Sequence, residues 1–254
     1  MSSAEGGPLS ENLRRFLWTA YDRLGGLVGY NLLWSALSLP WIIGAYALLQ
    51  VGFGLGGVGL VGAAVLAGTL LLSAPATAML FAAGAAWARD RDFGLREFWA
   101  AGRALFWRAL ALGLLMVAAV ALVLANVVFY QRIGGWLGVF LGGLMVWFLL
   151  LVGMVAVYVF PVLVTQEGSV WSTVRYSFLL SVDNVKLSLV FLLTAGLALG
   201  LGVASGLGLF CGGLAAWALW ISVGFRALLP KYTGQPLPSE APRRLRELIR
   251  PWEA

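Results

Sequence analysis

Charged residues are missing from long parts of this sequence, and their absence limits what the chain can fold into. Residues 24–88 and 187–225 contain no Asp, Glu, Lys or Arg, and residues 109–160 contain only Arg132. A helix of about 20 residues crosses a hydrocarbon core of about 30 Å, so each stretch is too long for one crossing and long enough for two. Folding each stretch into a hairpin predicts an all-α bundle of six transmembrane helices in three hairpins.

The positions of the basic residues orient this bundle. In the six-helix arrangement all of the 17 Lys and Arg residues except Arg132 fall on one side of the membrane. Because basic residues are retained on the cytoplasmic side, we predict a multi-pass protein of the cell membrane with both termini in the cytoplasm. A hydrophobic fraction of 61% and a mean hydropathy of +0.91 exclude an ordinary soluble domain.

The same pattern divides the chain into three parts. Residues 1–23 are predicted to form a cytoplasmic amphipathic segment, residues 24–229 the six-helix transmembrane domain, and residues 230–254 a basic, Pro-rich cytoplasmic tail. Two inside loops, residues 89–108 and 165–186, connect the three hairpins on the cytoplasmic side.

Both inside loops are predicted to form amphipathic helices along the cytoplasmic face. Each contains a Trp and an Arg four residues apart, a spacing that places an indole beside a guanidinium and favours a cation–π contact. In the second loop the predicted apolar face comprises Val170, Trp171, Val174, Phe178, Val182 and Val185. These helices are the candidate surface for lipid headgroups or a partner protein, and its residues are Phe98, Trp99, Arg103, Trp171 and Arg175.

Polar side chains at membrane depth include Asn31, Ser35, Ser38, Thr77 and Asn126. They could line a pathway for a small polar solute, or they could form hydrogen bonds between helices. None of the 11 Asp and Glu residues falls within a predicted span. Ion-coupled carriers usually keep an ionisable residue inside the bundle, so this pattern argues against a proton-driven transporter.

The sequence offers no recognisable catalytic or metal site. It contains no His and a single Cys211, so the usual ligands of transition metals are missing. Asp90, Asp92 and Glu97 are interleaved with basic residues, which predicts mutual neutralisation at an interface; these are Arg89, Arg91 and Arg96. We therefore predict a non-enzymatic protein without a cofactor. Because the basic residues flank apolar spans, they indicate attraction to anionic lipid headgroups and no nucleic-acid partner.

Glycine patterns in the spans indicate turns and helix packing. Residues 52–57 match a dinucleotide-binding pattern, but they follow no strand and lie in an apolar predicted turn, so we interpret them as a turn. Glycines four residues apart predict close approach between helices. These pairs are Gly25 and Gly29, Gly138 and Gly142, Gly196 and Gly200, and Gly202 and Gly206.

Short blocks of the sequence resemble one family of membrane proteins. Residues 31–40, Asn-Leu-Leu-Trp-Ser-Ala-Leu-Ser-Leu-Pro, resemble the first-span signature of the bacterial YesL-like integral membrane proteins, a domain of unknown function. Blocks at residues 75–78, 89–99, 158–161 and 175–184 are similar to later segments of that family, in the same order. Residues 41–74 depart from the family pattern because they lengthen the first hairpin.

The resemblance implies an accessory role in carbohydrate uptake, because members of that family accompany sugar-uptake and sugar-sensing genes. The expected function is that of a membrane accessory or scaffold protein that binds another membrane protein or a second copy of itself. The alternative is a solute transporter or permease subunit that moves a small polar solute past Asn31, Ser35, Ser38 and Thr77.

The predicted topology can be tested by thiol labelling. A Cys introduced at Gly134, beside Arg132, is expected to react with an impermeant thiol reagent added outside the cell. A Cys introduced at Ala100, in the first inside loop, is expected to be protected until the membrane is opened. The reverse labelling pattern would contradict the topology.

Overall fold

The computed structural model describes residues 8–52, 59–205 and 210–234, and in these residues the regular structure is entirely helical. We number the helices in chain order. They are α1 (Pro8–Asp22), α2 (Leu24–Gly52), α3 (Gly59–Trp87), α4 (Leu95–Ile133), α5 (Gly135–Thr165), α6 (Val170–Asp183), α7 (Val185–Ser205) and α8 (Gly213–Thr233).

Five of these helices are long and apolar enough to cross a membrane. They are α2 over Leu24–Gly44, α4, α5, α7 over Val185–Gly202, and α8. In α3 the segment Leu72–Trp87 is apolar but shorter, although the helix as a whole extends over 29 residues. The protein is therefore a multi-pass α-helical membrane protein. The motif at residues 52–57 lies largely outside the described residues, between the end of α2 and the start of α3.

Helix α4 joins the first inside loop to the span that follows it. The amphipathic segment that we predicted within residues 89–108 begins at Leu95 and continues without a break to Ile133, giving one helix of 39 residues. At about 1.5 Å per residue such a helix is about 58 Å long, well beyond the thickness of a hydrocarbon core. The buried residues of α4 all lie in its first half, between Phe98 and Leu112.

The last span begins later than the sequence predicted. Charge-free sequence suggested a helix from about residue 207, whereas α8 begins at Gly213 after a turn at Cys211 and Gly212. Gly212 has φ +94°, a left-handed conformation that residues with a side chain rarely adopt. A Cβ at this position would also lie 3.4 Å from the backbone of Leu27 in α2. The start of α8 is thereby held close to α2.

The core occupies one half of the bundle. Aromatic rings connect four helices there, from Phe16 in α1 through Trp220 in α8 and Phe191 in α7 to Tyr158 in α5, with centroid distances of 5.6, 6.0 and 6.0 Å. Four arginines lie at one end of the bundle, which we call the basic end, and bind the carbonyl ends of α3 and α5 or the loop after α3: Arg15, Arg23, Arg108 and Arg226.

The glycine pairs do not all pack as the sequence predicted. Gly138 is buried, and a Cβ there would lie 2.5 Å from the carbonyl oxygen of Tyr130 in α4. In contrast, Gly25, Gly29, Gly196 and Gly200 have no neighbouring atom within 4 Å of a Cβ position among the residues described. The prediction of close helix packing was therefore wrong for these two pairs, because apolar spans also place small residues against lipid. Gly206 lies outside the described residues.

Two glycines in neighbouring helices allow a matched stability test. Gly224 in α8 faces the ring of the fully buried Phe191, which overlaps the position of an added Cβ, so we expect Gly224→Ala to destabilise the protein by about 1–3 kcal/mol. Gly200→Ala in α7 adds its methyl group to open space and should stabilise by up to about 1 kcal/mol. Thermal unfolding in detergent measures both; equal midpoints would contradict the packing at Gly224.

Candidate interface at the basic end

The C-terminus of α3 is bound by arginines from two other helices. The carbonyl oxygen of Ala88 accepts a hydrogen bond from Arg15 Nη2 of α1 at 3.3 Å and another from Arg226 Nη1 of α8. The Asp90 carboxylate lies 3.5 Å and 3.9 Å from the same two guanidinium groups. The last carbonyls of a helix lack partners within it and carry partial negative charge. Arginine at this position therefore stabilises the helix end and joins α1, α3 and α8.

A second ion pair lies in the same loop, where Arg23 Nη1 is 2.6 Å from Asp92 Oδ1. We predicted that Asp90 and Asp92 would be neutralised by the adjacent Arg89, Arg91 and Arg96, and this was wrong. Their partners lie far away in sequence because the loop folds back over α1 and α8. The described residues contain no group of three potential metal ligands of the His, Cys, Asp or Glu type.

The C-terminus of α5 is bound in the same way. Arg108 of α4 donates from Nη2 to the carbonyl oxygen of Gln166 at 3.2 Å. Gln166 is the first residue after α5, so this arginine meets the negative end of the helix dipole. Ser169 then begins α6 as its N-cap, with its side chain accepting a hydrogen bond from Ser172 N at 3.2 Å. The turn between α5 and α6 is thus fixed by Arg108 at Gln166 and by the Ser169 cap at the start of α6.

Polar contacts attach the junction of α6 and α7 to the end of α8. Lys231 Nζ lies 2.5 Å from Asp183 Oδ2 and 3.2 Å from Asn184 Oδ1. Tyr232 donates to Asp183 and accepts from Asn184 Nδ2 at 2.6 Å. Hydrogen bonds from Lys231 and Tyr232 hold the pKa of Asp183 below its usual value, so this carboxylate remains charged at neutral pH and keeps the contact intact.

Asn31 is a cap for a helix to which it does not belong. It is fully buried in α2, and its Oδ1 accepts hydrogen bonds from Leu214 N at 3.0 Å and Ala215 N at 3.2 Å. These are N–H groups of the first turn of α8, which have no carbonyl partners within their own helix. A side-chain oxygen that usually comes from the N-cap residue is supplied here by another helix, because the N-cap itself is Gly212.

A hydrogen bond between Trp34 and Thr77 connects α2 to α3 in the first hairpin. Trp34 Nε1 donates to Thr77 Oγ1 at 3.0 Å, and that hydroxyl donates to Ser73 O at 2.7 Å. Ser35 and Ser38 are buried on the same face of α2 as Asn31. For Asn31 and Thr77 the structure thus supports hydrogen bonding between helices. The Ser38 hydroxyl has no hydrogen-bond partner among the described residues.

The aromatic and basic candidates on α4 separate into buried and exposed groups. Phe98 is fully buried and stacks on Tyr30 of α2 with ring centroids 4.8 Å apart, so it is a core residue of the basic end. Trp99 is 43% exposed, and Arg103 is exposed on the same side of the helix. Of the three candidates on α4, Trp99 and Arg103 therefore face outward.

Helix α6 turns small hydroxyl side chains inward and several large side chains outward, although Val170 and Val174 of the predicted apolar face pack against the core. Thr173, Ser177 and Ser181 are buried, and their hydroxyl groups donate to carbonyl oxygens of the same helix at 2.8–3.1 Å. The outer face exposes large side chains of the predicted apolar face together with a cation. It comprises Trp171, Arg175, Phe178 and Val182.

Two features of this interface were not predicted from the sequence. The described residues show one cation–π contact, Lys231 over Tyr232 at 5.4 Å; the predicted pairs Trp99–Arg103 and Trp171–Arg175 do not form. The inward face of α6 was also overlooked. Its signal was the repeat of small hydroxyl residues every four positions, from Ser169 to Ser181, which marks a narrow face that can pack closely on α5.

Comparison with known proteins gives a family similarity for part of the chain. Residues 27–127 match the model of a family described as "Protein of unknown function, DUF624". This segment runs from α2 into α4 and includes Asn31, Thr77, Trp99 and Arg103. No curated protein and no solved structure matches the chain. The chain is thus a multi-pass helical membrane protein similar, over this segment, to an uncharacterised family, and the YesL-like assignment stays a prediction.

The role of Asn31 as a cap can be tested by comparison with another membrane-depth asparagine. Asn31→Ala leaves two buried N–H groups of α8 without their acceptor, so we expect a loss of about 1–3 kcal/mol per group. Asn126 is partly exposed and bonds within its own helix, to Leu122 O at 2.8 Å. Asn126→Ala should therefore leave the unfolding midpoint of the detergent-solubilised monomer almost unchanged. Equal effects of the two substitutions would contradict the capping role.

Proposed function

We propose that this protein is a non-enzymatic accessory or scaffold protein of the cell membrane, which docks at its basic end to anionic lipid headgroups and to another membrane protein. The observation that carries this proposal is the outward-facing surface of α6. It presents an aromatic and apolar face with a cation, while the polar side of the helix is already used within the protein.

The composition of this surface suits the border between lipid and water. Trp171 is 73% exposed, and Trp is enriched where one side of a residue meets headgroups and the other meets hydrocarbon. Arg175 follows one turn later on the same face and can bind phosphate or carboxylate groups. Trp99 and Arg103 repeat this combination on α4. A partner with acidic groups beside an apolar surface would complement both.

The proposed orientation places the basic end in the cytoplasm. Five spans are long and apolar, and α3, which is charge-free over 29 residues, would provide the sixth crossing. With six crossings both termini lie on the side that holds all basic residues except Arg132. An association with carbohydrate uptake rests on the YesL-like resemblance, and the absence of a catalytic constellation from the sequence supports a non-enzymatic role.

A solute transporter or permease subunit is the second candidate, and the late start of α8 favours it. Transporters often bind solutes where a helix is interrupted at membrane depth, because the exposed end of the half-helix offers unpaired backbone groups. Here the first-turn N–H groups of α8 are already bonded to Asn31. A transport cycle would have to release this contact, and Ser35, Ser38 and Thr77 lie along the same hairpin.

The docking role can be tested with variants of the exposed tryptophans. Trp99→Ser combined with Trp171→Ser removes two large exposed aromatic side chains at the basic end without opening the core, while Trp107 and Phe178 stay in place. We expect at least about tenfold less recovery of the protein that co-purifies from native membranes in mild detergent, since each large side chain contributes about 1.5–3 kcal/mol when buried.

Trp136→Ser is the matched control for this experiment. Trp136 is 80% exposed at the opposite end of α5, so its replacement should leave co-purification unchanged. Equal losses in both variants would point to a general effect of tryptophan removal. Recovery of the wild-type chain alone, with solute flux in liposomes that Asn31→Ala and Thr77→Val abolish, would contradict the scaffold function and support the transporter.

A further inference from the structure

Among the five candidate spans in the described part of the chain, helix α4 has the smallest share of buried residues. Only 6% of its most apolar window is buried inside the protein, against 44% in α5 and 56% in α8. Beyond Leu112 it contacts α5, and Gly113 packs on Ala74 of α3; large apolar residues are exposed on its remaining sides, one of which we call the outer side. Four large apolar residues on this outer side are 41–66% exposed and follow one another at intervals of four or seven residues: Leu115, Leu122, Phe129 and Ile133.

Asn126 interrupts this apolar surface. It is the one polar residue between Ala109 and Val128 of α4, and it lies one turn from Leu122, on the border between the outer face and α5. Its Nδ2 donates one hydrogen bond, to Leu122 O at 2.8 Å. Its second N–H and its Oδ1 have no partner among the residues that the structure describes. Lipid tails offer neither a donor nor an acceptor to them.

The neighbouring helix leaves space beside this amide. Gly138 of α5 packs against the Tyr130 carbonyl of α4, and one turn further along both antiparallel helices Gly142 comes opposite Asn126. A Cβ at Gly142 or at Gly143 would meet no atom within 4 Å. Gly142 is buried, whereas Gly143 is exposed, so a helix from outside the chain can approach α5 closely at Gly143, near the level of Asn126.

We propose that a second copy of this chain docks on the outer face of α4, with Asn126 at the centre of a two-fold symmetric dimer. A carboxamide carries both a donor and an acceptor, so it complements itself across a two-fold axis: each Oδ1 accepts from the free N–H of the other copy. The residues around it are spaced like a heptad seam, in which a single asparagine selects the register and the number of helices.

This interface is independent of the proposed docking at the basic end, because the two surfaces share no residue. Cross-linking in native membranes tests it in a background of Cys211→Ser, which removes the exposed native thiol. Leu122→Cys lies on the proposed face, whereas Leu124→Cys is a lipid-exposed control on the opposite side of the same helix. Oxidation is expected to give a disulfide-linked homodimer for position 122 and none for position 124.

The contribution of the amide is tested in the Leu122→Cys background. Asn126→Leu should lower the association constant about eightfold, the effect of two reciprocal hydrogen bonds between membrane helices, while Asn126→Gln, which retains the amide, should restore most of the cross-link. Equal cross-linking at positions 122 and 124, or no effect of Asn126→Leu, would overturn the proposal. A cross-linked product that contains a different protein would overturn it as well, because that protein would then occupy the face.

Discussion

The fold depends on how helix ends are satisfied where water is scarce. The carbonyl end of α3 has no partners within the helix, and Arg15 and Arg226 bind it at Ala88 from two different helices. An unpaired carbonyl would be costly there, and an unpaired arginine beside apolar spans would be costly too. Each group therefore requires the other. Because the three groups belong to α1, α3 and α8, one contact determines how these helices assemble.

The start of α8 depends on the converse requirement, because N–H groups and not carbonyl groups lack partners at that end of a helix. Its first-turn N–H groups need an acceptor, and Asn31 supplies one from α2. Arg108 binds the end of α5, and Asp183 and Asn184 bind the end of α8. These contacts lie in the half of the bundle that contains the aromatic core. Since the polar groups at these helix ends are hydrogen-bonded within the protein, they do not need the outer faces of α4 and α6. These faces are left for lipid or for partners.

The sequence predicted an all-helical membrane protein, and five of the six predicted spans correspond to helices long and apolar enough to cross a membrane, because the requirement for about 20 uncharged residues per crossing is strict and local. It failed where contacts depend on distant parts of the chain. The partners of Asp90 and Asp92 could not be read from neighbouring arginines, and nothing in the charge pattern delays the start of α8 to Gly213. For α6 the sequence analysis placed Trp171 and Arg175 on an outer surface, but it missed the inward face that holds Ser177, for another reason. In water an apolar face turns towards the protein, but beside lipid an apolar face is equally stable outside, so Ser177 lies inside and Phe178 outside.

The proposed docking function depends on the orientation of α6, because this orientation leaves an aromatic and basic surface free at the basic end. Spin labels placed singly at Ser177 and at Phe178, in the full chain reconstituted into anionic bilayers, test it most directly. Oxygen enriched in the hydrocarbon is expected to relax the label at position 178 strongly and the label at position 177 weakly. The reverse order would show that the apolar face of α6 packs against the protein, and would contradict the account.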